Sequence, residues 1–463
     1  MTEQDTIIAL ATPSGSGAIA VIRLSGPDAI ERVSAHFKSV GKGRLTEFES
    51  HTVHLGGIYK GERLLDEVLV TLFRAPRSYT GENIVEISCH GSSYIQQEIL
   101  QHFLKEGCRM ARAGEFTLRA FLNGKMDLSQ AEAVADLIAS ENEASHQLAL
   151  RQMRGGYSTE IQDLRDQLIH FASMITLELD FSGEDVEFAD RAAFHHLLEK
   201  LSTLLKSLID SFAMGNVIKK GIPIAISGQP NVGKSTLLNA LLKEEKAIVS
   251  DIAGTTRDAI EDEISLNGIG FRFIDTAGIR ETQDTVEKIG IQRTLEKMQE
   301  ARILIYMMDA TELSDSRLII TQKETAELRK KYPDKPVVLL VNKIDLVGEE
   351  TRRKISDALS EVLFLSAKTG EGLEELQRYL LGFVETGFLS NEDPVVSNSR
   401  HYEALLKALE AISKVQEGVA LDVPSDLLSI DINQALYHLG EITGAITSDD
   451  LLGNIFANFC IGK

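Results

Sequence analysis

Near the middle of the chain stands Gly228-Gln229-Pro230-Asn231-Val232-Gly233-Lys234-Ser235, a phosphate-binding loop of the form GxxxxGK[ST]. The apolar run 222–227 before it predicts a strand, and residues 234–242 after it predict a helix. This context supports the motif, because amides of the loop and of the helix N-terminus offer partial positive charge to phosphate groups. We expect Lys234 to reach the β- and γ-phosphates and Ser235 to hold Mg²⁺ through its hydroxyl.

Three further motifs complete a guanine-nucleotide site in the expected order. Asp275-Thr276-Ala277-Gly278 follows a predicted strand, so that Asp275 is expected behind Mg²⁺ and the glycine amide at the γ-phosphate. Asn342-Lys343-Ile344-Asp345 follows an apolar strand, and Asp345 can accept hydrogen bonds from the N1–H and amino group of guanine. Adenine lacks that donor pair. With Ser366-Ala367-Lys368 completing the base pocket, the sequence predicts GTP as the ligand.

The stretch Gly254-Thr255-Thr256-Arg257-Asp258 supplies the candidate switch residue, Thr256, for Mg²⁺ and the γ-phosphate. Directly after the second motif comes Ile279, where Ras-like GTPases carry the glutamine that orients the attacking water. Isoleucine cannot form a hydrogen bond, so another residue must position the water. Glu287, in the acidic stretch 281–287, is the candidate, although its spacing fits a solvated glutamate at a helix start as well.

A monovalent cation is a second expectation for this site. The charge that develops in the transition state needs a cation besides Lys234 and Mg²⁺. Asn231 offers a neutral oxygen beside the phosphates, and together with Thr255 and the backbone carbonyls of 250–255 it can hold such an ion. The ion would lie where an arginine finger acts in other GTPases.

The predicted nucleotide contacts lie in the phosphate loop, the switch stretch and the three downstream motifs. They are Asn231, Val232, Gly233, Lys234, Ser235, Thr236, Ser250, Asp251, Ile252, Ala253, Gly254, Thr255, Thr256, Asp275, Thr276, Ala277, Gly278, Asn342, Lys343, Asp345, Ser366, Ala367 and Lys368.

Composition narrows the class of protein. The chain has 463 residues, a formal net charge of −21 and three cysteines. No apolar run approaches the ~18 residues of a membrane span, and the first residues lack the basic start of a signal peptide, so we expect a cytoplasmic protein. The acidic balance does not suggest a nucleic-acid binder, so any contact with RNA must use a local surface or a partner. The cysteine spacing argues against zinc and disulfides.

The pattern of segments predicts a multidomain α+β and α/β fold. Residues 1–118 mix strands and helices in an α+β domain, 119–220 and 383–463 form two parts of one helical-bundle domain, and 221–382 form an inserted Ras-like, doubly wound P-loop G domain. Insertion is physically easy, because the termini of a domain usually lie close together. Ser129 and Glu132 are predicted to form a capping box at the start of a helix.

These motifs, together with further segments and the C-terminal tail, resemble the MnmE family (also called TrmE) of bacterial tRNA-modification GTPases over the full length of the chain. The further segments are Ala11-Thr12-Pro13, Arg23-Leu24-Ser25-Gly26, Ser78-Tyr79-Thr80-Gly81-Glu82, Gly114-Glu115-Phe116-Thr117, Arg119-Ala120-Phe121-Leu122-Asn123-Gly124-Lys125 and Cys460-Ile461-Gly462-Lys463.

The resemblance implies a homodimer that forms through the N-terminal domain, which would bind 5-formyl-tetrahydrofolate as a one-carbon donor. It implies G domains that dimerise across GTP with K⁺ bound. It also implies an FAD-dependent partner, MnmG, in a heterotetramer or larger complex. The resemblance implies that the chain and MnmG together modify carbon 5 of the wobble uridine of certain tRNAs, adding an aminomethyl or carboxymethylaminomethyl group.

The resemblance also implies roles for individual residues. The implied K⁺ ligands are Asn231, Ser250, Ile252 and Thr255. The implied Mg²⁺ contacts are Ser235 and Thr256, and the implied catalytic residue is Glu287. The implied folate contacts are Arg23, Glu82, Lys125 and Lys463, with Cys460 nearby as a candidate for one-carbon chemistry.

A second hypothesis comes from another functional class. The chain would then be a regulatory GTPase of ribosome assembly or stress signalling, similar to Era or Der, and its N-terminal domain would serve only for dimerisation. Ile279 fits both hypotheses. The folate-type residues and the Cys460-Ile461-Gly462-Lys463 tail favour tRNA modification, because a pure switch does not need them.

Overall fold

The structure, a computed structural model, describes residues 5–180, 191–245, 261–275, 298–383, 394–421, 423–457 and 459–462. The chain divides into two compact units, each discontinuous in sequence. The first comprises Met1–Ala139, Ala149–Lys206 and Glu403–Lys463, and the second comprises Ser140–Leu148 and Ser207–Tyr402. The predicted multidomain α+β and α/β fold class is confirmed.

The described elements are numbered in chain order. The strands are β1 (Ile7–Leu10), β2 (Ile19–Ser25), β3 (Phe37–Ser39), β4 (Thr52–Lys60), β5 (Arg63–Phe73), β6 (Ile84–His90), β7 (Arg109–Met110), β8 (Ile222–Gly228), β9 (Glu261–Leu266), β10 (Ile269–Asp275), β11 (Ile303–Asp309), β12 (Val337–Asn342) and β13 (Val362–Phe364). The helices are α1 (Ala29–His36), α2 (Ser93–Lys105), α3 (Glu115–Leu122), α4 (Leu128–Ala139), α5 (Glu143–Met153), α6 (Gly156–Asp180), α7 (Arg191–Lys220), α8 (Lys234–Glu245), α9 (Asp315–Lys331), α10 (Glu349–Ala358), α11 (Leu373–Gly382), α12 (Ser399–Ala420), α13 (Ser425–Thr443) and α14 (Asp449–Phe456).

A seven-stranded sheet forms the N-terminal part of the first unit. Its strand order is β3-β4-β5-β6-β2-β1-β7, and neighbours are antiparallel except for β1 and β7. Alternate residues of β2, namely Ala20, Ile22 and Leu24, are buried on one face of this sheet. They belong to the same apolar core as Ile99 and Phe103 of α2, so burial of these side chains holds the helix on the sheet.

The helical part of the first unit contains one corrected prediction. The capping box of α4 is formed by Asp127 and Gln130, not by Ser129 and Glu132. The Asp127 N–H donates to Gln130 Oε1 and the Gln130 N–H donates to Asp127 Oδ1, both at 2.8 Å. Ser129 instead donates its hydroxyl to Asp127 Oδ1 at 2.8 Å. The helix starts at Leu128, because aspartate is a strong N-cap residue and stands earlier in the chain.

The second unit contains a six-stranded sheet of order β13-β12-β11-β8-β10-β9. All neighbours are parallel except β9 and β10, which form an antiparallel pair. The strands are apolar because both faces of such a sheet are covered; all six residues of β12 are buried. The central strand β8 lies between β11 and β10, which makes its carboxyl end a switch point where ligands bind in doubly wound folds.

The short segment Ser140–Leu148 belongs to the second unit, whereas the sequence pattern predicts it as part of the helical domain. The N–H of Ala144 donates to Gly268 O at 2.9 Å, and Ala144 is buried in the core of the α/β unit. The Asn142 amide donates to Glu263 Oε1 at 3.3 Å. These bonds join the start of α5 to the turn and first strand of the β9–β10 pair. Among the described helices, none is both long and apolar enough to cross a membrane.

Candidate functional site

The phosphate loop leaves β8 and enters α8 with the backbone that its sequence requires. Gly228 has φ 147° and Gly233 has φ 100°, and both values favour glycine. A Cβ at Gly228 would lie 2.2 Å from the carbonyl oxygen of Met307, so a side chain there would collide with β11. Asn231 also has a positive φ, 62°, a conformation that asparagine tolerates better than most residues.

Lys234 is the first residue of α8, and its ammonium group lies over the phosphate loop. Lys234 Nζ donates to the carbonyl oxygen of Gly228 at 2.8 Å. Ser235 and Thr236 follow in the first turn of α8, where the helix dipole and backbone N–H groups favour anions. The arrangement suits a phosphate chain, with a positive charge and hard hydroxyl oxygens in sequence.

Asn342 joins the phosphate loop to Ser366-Ala367-Lys368, the last base motif. Its side chain is buried, and its Nδ2 donates to Val232 O at 2.7 Å. Its Oδ1 accepts from the Ala367 N–H at 2.9 Å. Gly233 makes this approach possible, because a Cβ there would lie 2.4 Å from Asn342 Nδ2. One amide therefore sets the position of three predicted nucleotide segments.

Lys343 has a partner that the motif did not reveal. Its Nζ forms an ion pair with Asp309 Oδ2 at 2.5 Å, and Asp309 ends the neighbouring strand β11. Burial would raise the pKa of Asp309, but hydrogen bonds from Lys343 and Thr311 outweigh it and lower that pKa. The pair fixes Lys343, whose backbone has φ 62°, beside the end of the sheet. The sequence offers one indication of this ion pair, because Asp309 stands at the carboxyl end of β11, the strand that pairs with β12.

Asp345, the predicted guanine-recognition residue, is exposed and oriented by Ser366. The buried Ser366 hydroxyl donates to Asp345 Oδ1 at 2.7 Å. The same hydroxyl oxygen accepts from the Thr369 N–H at 3.3 Å. A carboxylate held in this way needs little reorganisation to accept two donors from a base.

Some predicted site residues lie outside the described residues. These are Ser250, Asp251, Ile252, Ala253, Gly254, Thr255, Thr256, Thr276, Ala277, Gly278, Ile279, Glu287 and Lys463. Asp275 is described only as the last residue of β10, where it pairs in register with Ile226 of β8. Among the described members, the phosphate loop, Asn342, Lys343, Asp345 and the segment 366–368 lie together at the carboxyl end of the sheet.

A second group of predicted residues lies in the N-terminal sheet. Arg23 pairs with Glu86 on the adjacent strand, with Nε at 2.8 Å and Nη2 at 2.7 Å from Glu86 Oε1. Its Nη1 donates to the carbonyl oxygen of Gly462 at 3.2 Å. The bridge between Ala113 and Ile461 helps to hold the tail there. The structure thus brings the exposed Cys460, the tail and Arg23 together.

The other two described folate candidates lie close to one another in the chain fold. Glu82 Oε2 accepts from the Ser25 hydroxyl at 2.7 Å. Lys125 Nζ donates to Pro76 O at 3.0 Å, and a Cβ at Gly81 would lie 3.5 Å from the Lys125 side chain. Glu82 and Lys125 therefore border the same loop, which contains Gly81.

An ion network behind Glu82 was missed in the sequence. The Arg119 guanidinium, with its side chain 7% exposed, lies 3.2 Å from both Glu82 oxygens and 2.5 Å from Asp5 Oδ1. Arg109 pairs with Asp5 and Glu115, each at 2.5 Å. Burial alone would raise the pKa values of Asp5 and Glu115, but hydrogen bonds from the arginines lower them. The network therefore holds the Glu82 carboxylate in one orientation.

Asn342→Ala tests the bridging role of the Asn342 amide. The substitution removes both hydrogen bonds and leaves the Val232 carbonyl and the Ala367 N–H without that partner. We expect the affinity for GDP to fall at least about tenfold, since ~1.4 kcal/mol corresponds to a factor of ten. Fluorescent GDP titration measures it, with Gln322→Ala on the exposed side of α9 as the control. Equal affinities in the two variants would contradict the bridging role.

Comparison with known proteins agrees with this arrangement. A family model described as "MnmE helical domain" matches residues 128–460, and one described as "GTP-binding protein TrmE N-terminus" matches residues 6–125. Proteins described as tRNA modification GTPase MnmE are close relatives. The one from Christiangramia forsetii is 60% identical, and the one from Flavobacterium psychrophilum is 59% identical, each with 100% of both chains covered. The protein from Bacteroides fragilis is 51% identical, with 99% of this chain and 100% of the relative covered.

The helical-domain model spans the phosphate loop and the base motifs, the N-terminal model spans Arg23, and the full-length relatives also span the C-terminal tail. Taken with the geometry of the nucleotide site, they show that this chain belongs to the MnmE (TrmE) family of tRNA modification GTPases.

Proposed function

We propose that this chain hydrolyses GTP in a potassium-dependent site and couples that reaction to one-carbon chemistry on the wobble uridine of tRNA. As a member of its family, the chain is a GTP hydrolase acting in tRNA modification. The observation that carries the nucleotide part is the Asn342 bridge, which joins the phosphate loop to the base motif. We also propose the division into 1–118, 119–220, 221–382 and 383–463 as functional domains.

The residues present suit Mg²⁺ and GTP. Mg²⁺ prefers hard oxygen ligands, and Ser235 on α8 offers a hydroxyl while Asp275 ends the strand beside β8. Mg²⁺ would neutralise charge on the β- and γ-phosphates. Lys234 would move from Gly228 O to the phosphates, and Asp345 would accept the two guanine donors. Thr256 completes the proposed Mg²⁺ contacts.

We propose that K⁺ supplies the additional positive charge of the transition state. Among the described residues, no hydrogen-bond partner is found for the exposed Asn231 side chain, so its amide oxygen is available. Its positive φ places it at the bend of the phosphate loop. Ser250, Ile252 and Thr255 would provide the other ligands. Water would attack the γ-phosphate, oriented by Glu287 in place of the glutamine that Ile279 replaces.

The N-terminal sheet is our proposed site for 5-formyl-tetrahydrofolate. Arg23, held by Glu86 and by the tail, is a guanidinium that can bind the carboxylates of the folate glutamate group. Glu82 is fixed by Arg119 and Ser25, so it can accept hydrogen bonds in a defined direction. Lys125 and Lys463 would add positive charge, and Cys460 stands at the tail as a candidate for the one-carbon step.

The proposed partners follow from the family chemistry. The chain would act in the cytosol as a homodimer, assembled through the N-terminal domain, with the FAD-dependent protein MnmG. Together they would add an aminomethyl or carboxymethylaminomethyl group to carbon 5 of the wobble uridine. The acidic balance of −21 makes a contribution from MnmG to tRNA binding physically reasonable. The tail against Arg23 supports this function over a ribosome-assembly switch, which would not need it.

GTP turnover in KCl compared with NaCl tests the cation proposal. We expect the wild-type rate to be at least about tenfold higher in KCl, because ~1.4 kcal/mol of transition-state stabilisation gives a factor of ten. Asn231→Gly removes the amide oxygen while tolerating the positive φ, so its rate should be equal in both salts.

Gln229→Ala is the matched control for Asn231→Gly, because Gln229 is exposed in the same loop. It should retain the preference for KCl. The proposal fails if wild-type turnover is the same in both salts, or if Asn231→Gly keeps the full preference for KCl.

Arg23→Ala tests the folate proposal by titration of the full chain with 5-formyl-tetrahydrofolate. Loss of a charge-assisted hydrogen bond, worth about 1.5–3 kcal/mol, should weaken binding by at least about tenfold. Glu86→Gln is the control, because it removes the competing carboxylate and keeps the guanidinium. Its affinity should equal or exceed that of the wild type, whereas an unchanged affinity in Arg23→Ala would count against the site.

A further inference from the structure

Three potential metal ligands lie close together at the C-terminal ends of α1 and α2, the two helices that pack on the N-terminal sheet. His36 is the last residue of α1, His102 lies in the last turn of α2, and Glu106 is the residue that follows α2 as its C-cap. The two imidazole rings pack edge to face with centroids 4.3 Å apart, and His36 also packs edge-on against Phe103. The helices thus bring together residues that lie 66 and 70 positions apart from His36 in the sequence.

The three ligand atoms lie close together, and one pair has the spacing of two ligands of a small metal ion. One ligand atom from each residue lies within 4.8 Å of the others. His36 Nε2 and Glu106 Oε2 are 3.5 Å apart. Two ligands bound tetrahedrally at about 2.0–2.1 Å from zinc lie about 3.4 Å from one another. The pair is therefore spaced as two ligands of one ion would be.

A buried histidine nitrogen gives a second, independent indication. His102 is 5% exposed, and its Nε2 is buried with no hydrogen-bond partner among the described residues. Buried polar atoms in folded proteins almost always have a partner. A bound metal ion would supply the partner that His102 Nε2 lacks among the described residues.

An ordinary ion pair explains only part of this geometry. An ion pair between His36 and Glu106 accounts for their 3.5 Å separation, but it leaves His102 Nε2 without a partner among the described residues. The nearby Arg32 does not form an ion pair with the Glu106 carboxylate. It donates to the Glu106 backbone carbonyl and forms an ion pair with Asp28. The Glu106 carboxylate therefore faces the two histidines without competition from that arginine.

We propose that His36, His102 and Glu106 form a binding site for zinc or a similar divalent transition metal. Imidazole and carboxylate ligands suit such ions, and three protein ligands leave a fourth position for water. The site joins the C-terminal ends of α1 and α2 and uses none of the residues proposed for GTP or folate. Cysteine spacing, the usual signal of zinc in a sequence, does not reveal it because all three ligands are histidine and glutamate.

The test uses the full chain without a polyhistidine tag, treated with chelator and then saturated with GDP and Mg²⁺ to fill the nucleotide site. Cys460→Ser serves as the background, because the exposed Cys460 thiol could bind zinc itself. Calorimetric titration with ZnCl₂ should give one tight site per chain. Titration with CoCl₂ should produce a visible d–d absorption band, which reports nitrogen and oxygen ligands in a site of low symmetry.

His36→Ala and Glu106→Gln should each weaken zinc binding at least tenfold and remove the cobalt band. Both positions are more exposed than His102, so these variants should fold. His438→Ala is the matched control, because His438 lies 2.9 Å from Glu441 without a second imidazole in that pair. The inference is overturned if the parent chain binds no stoichiometric zinc, or if both site variants bind it as the parent does.

Discussion

The side-chain amide of Asn342 is the interaction on which the nucleotide site depends. It closes a hydrogen-bonded connection between the Val232 carbonyl in the phosphate loop and the Ala367 N–H in the last base motif. Because Asn342 is buried, removing it would leave both groups desolvated and without that partner, which is costly inside a protein. The glycine at 233 is required for the same reason, since any side chain there would displace the amide.

This connection assigns different roles to the residues of the Asn342-Lys343-Ile344-Asp345 motif. Asparagine, lysine and aspartate at 342, 343 and 345 are usually considered as a unit that recognises a base. In this chain the first two are held by the protein, Asn342 by the loops and Lys343 by Asp309. Asp345, oriented by Ser366, is the exposed group that remains for the base. Asn342 and Lys343 therefore hold the wall of the pocket together, and Asp345 is left exposed to bind the base.

In the N-terminal sheet, ion pairs hold the proposed site residues in place, as hydrogen bonds do in the nucleotide site. The buried Arg119 guanidinium pairs with Asp5, Glu82 and Glu115, so each of these carboxylates is held in a fixed direction. Breaking one member would leave an uncompensated buried charge, which is more damaging than the net contribution of the pair. The proposed folate residue Glu82 is thus supported from behind by an ion network, as Asp345 is by a hydroxyl.

The sequence predicted the parts whose signal is local. Strand–loop–helix around the phosphate loop is confirmed, because glycine spacing and apolar runs act within a few residues. The Asn342 bridge spans 110 residues to Val232, and no local pattern contains it. The α4 cap was misplaced because two overlapping capping patterns exist there, and Asp127 competes better than Ser129. The ion pairs of Arg119 and the ion pair between Lys343 and Asp309 join residues that are distant in the sequence. Secondary-structure propensities contain no information about such tertiary contacts.

We propose that GTP hydrolysis at the phosphate loop drives the chemistry on tRNA. Nucleoside analysis of tRNA from a strain lacking this gene, complemented with wild type or Lys234→Ala, tests it most directly. We predict that the carbon-5 modification of the wobble uridine disappears in the deletion strain, returns with the wild type and stays absent with Lys234→Ala. Unchanged modification in the deletion strain would contradict the account.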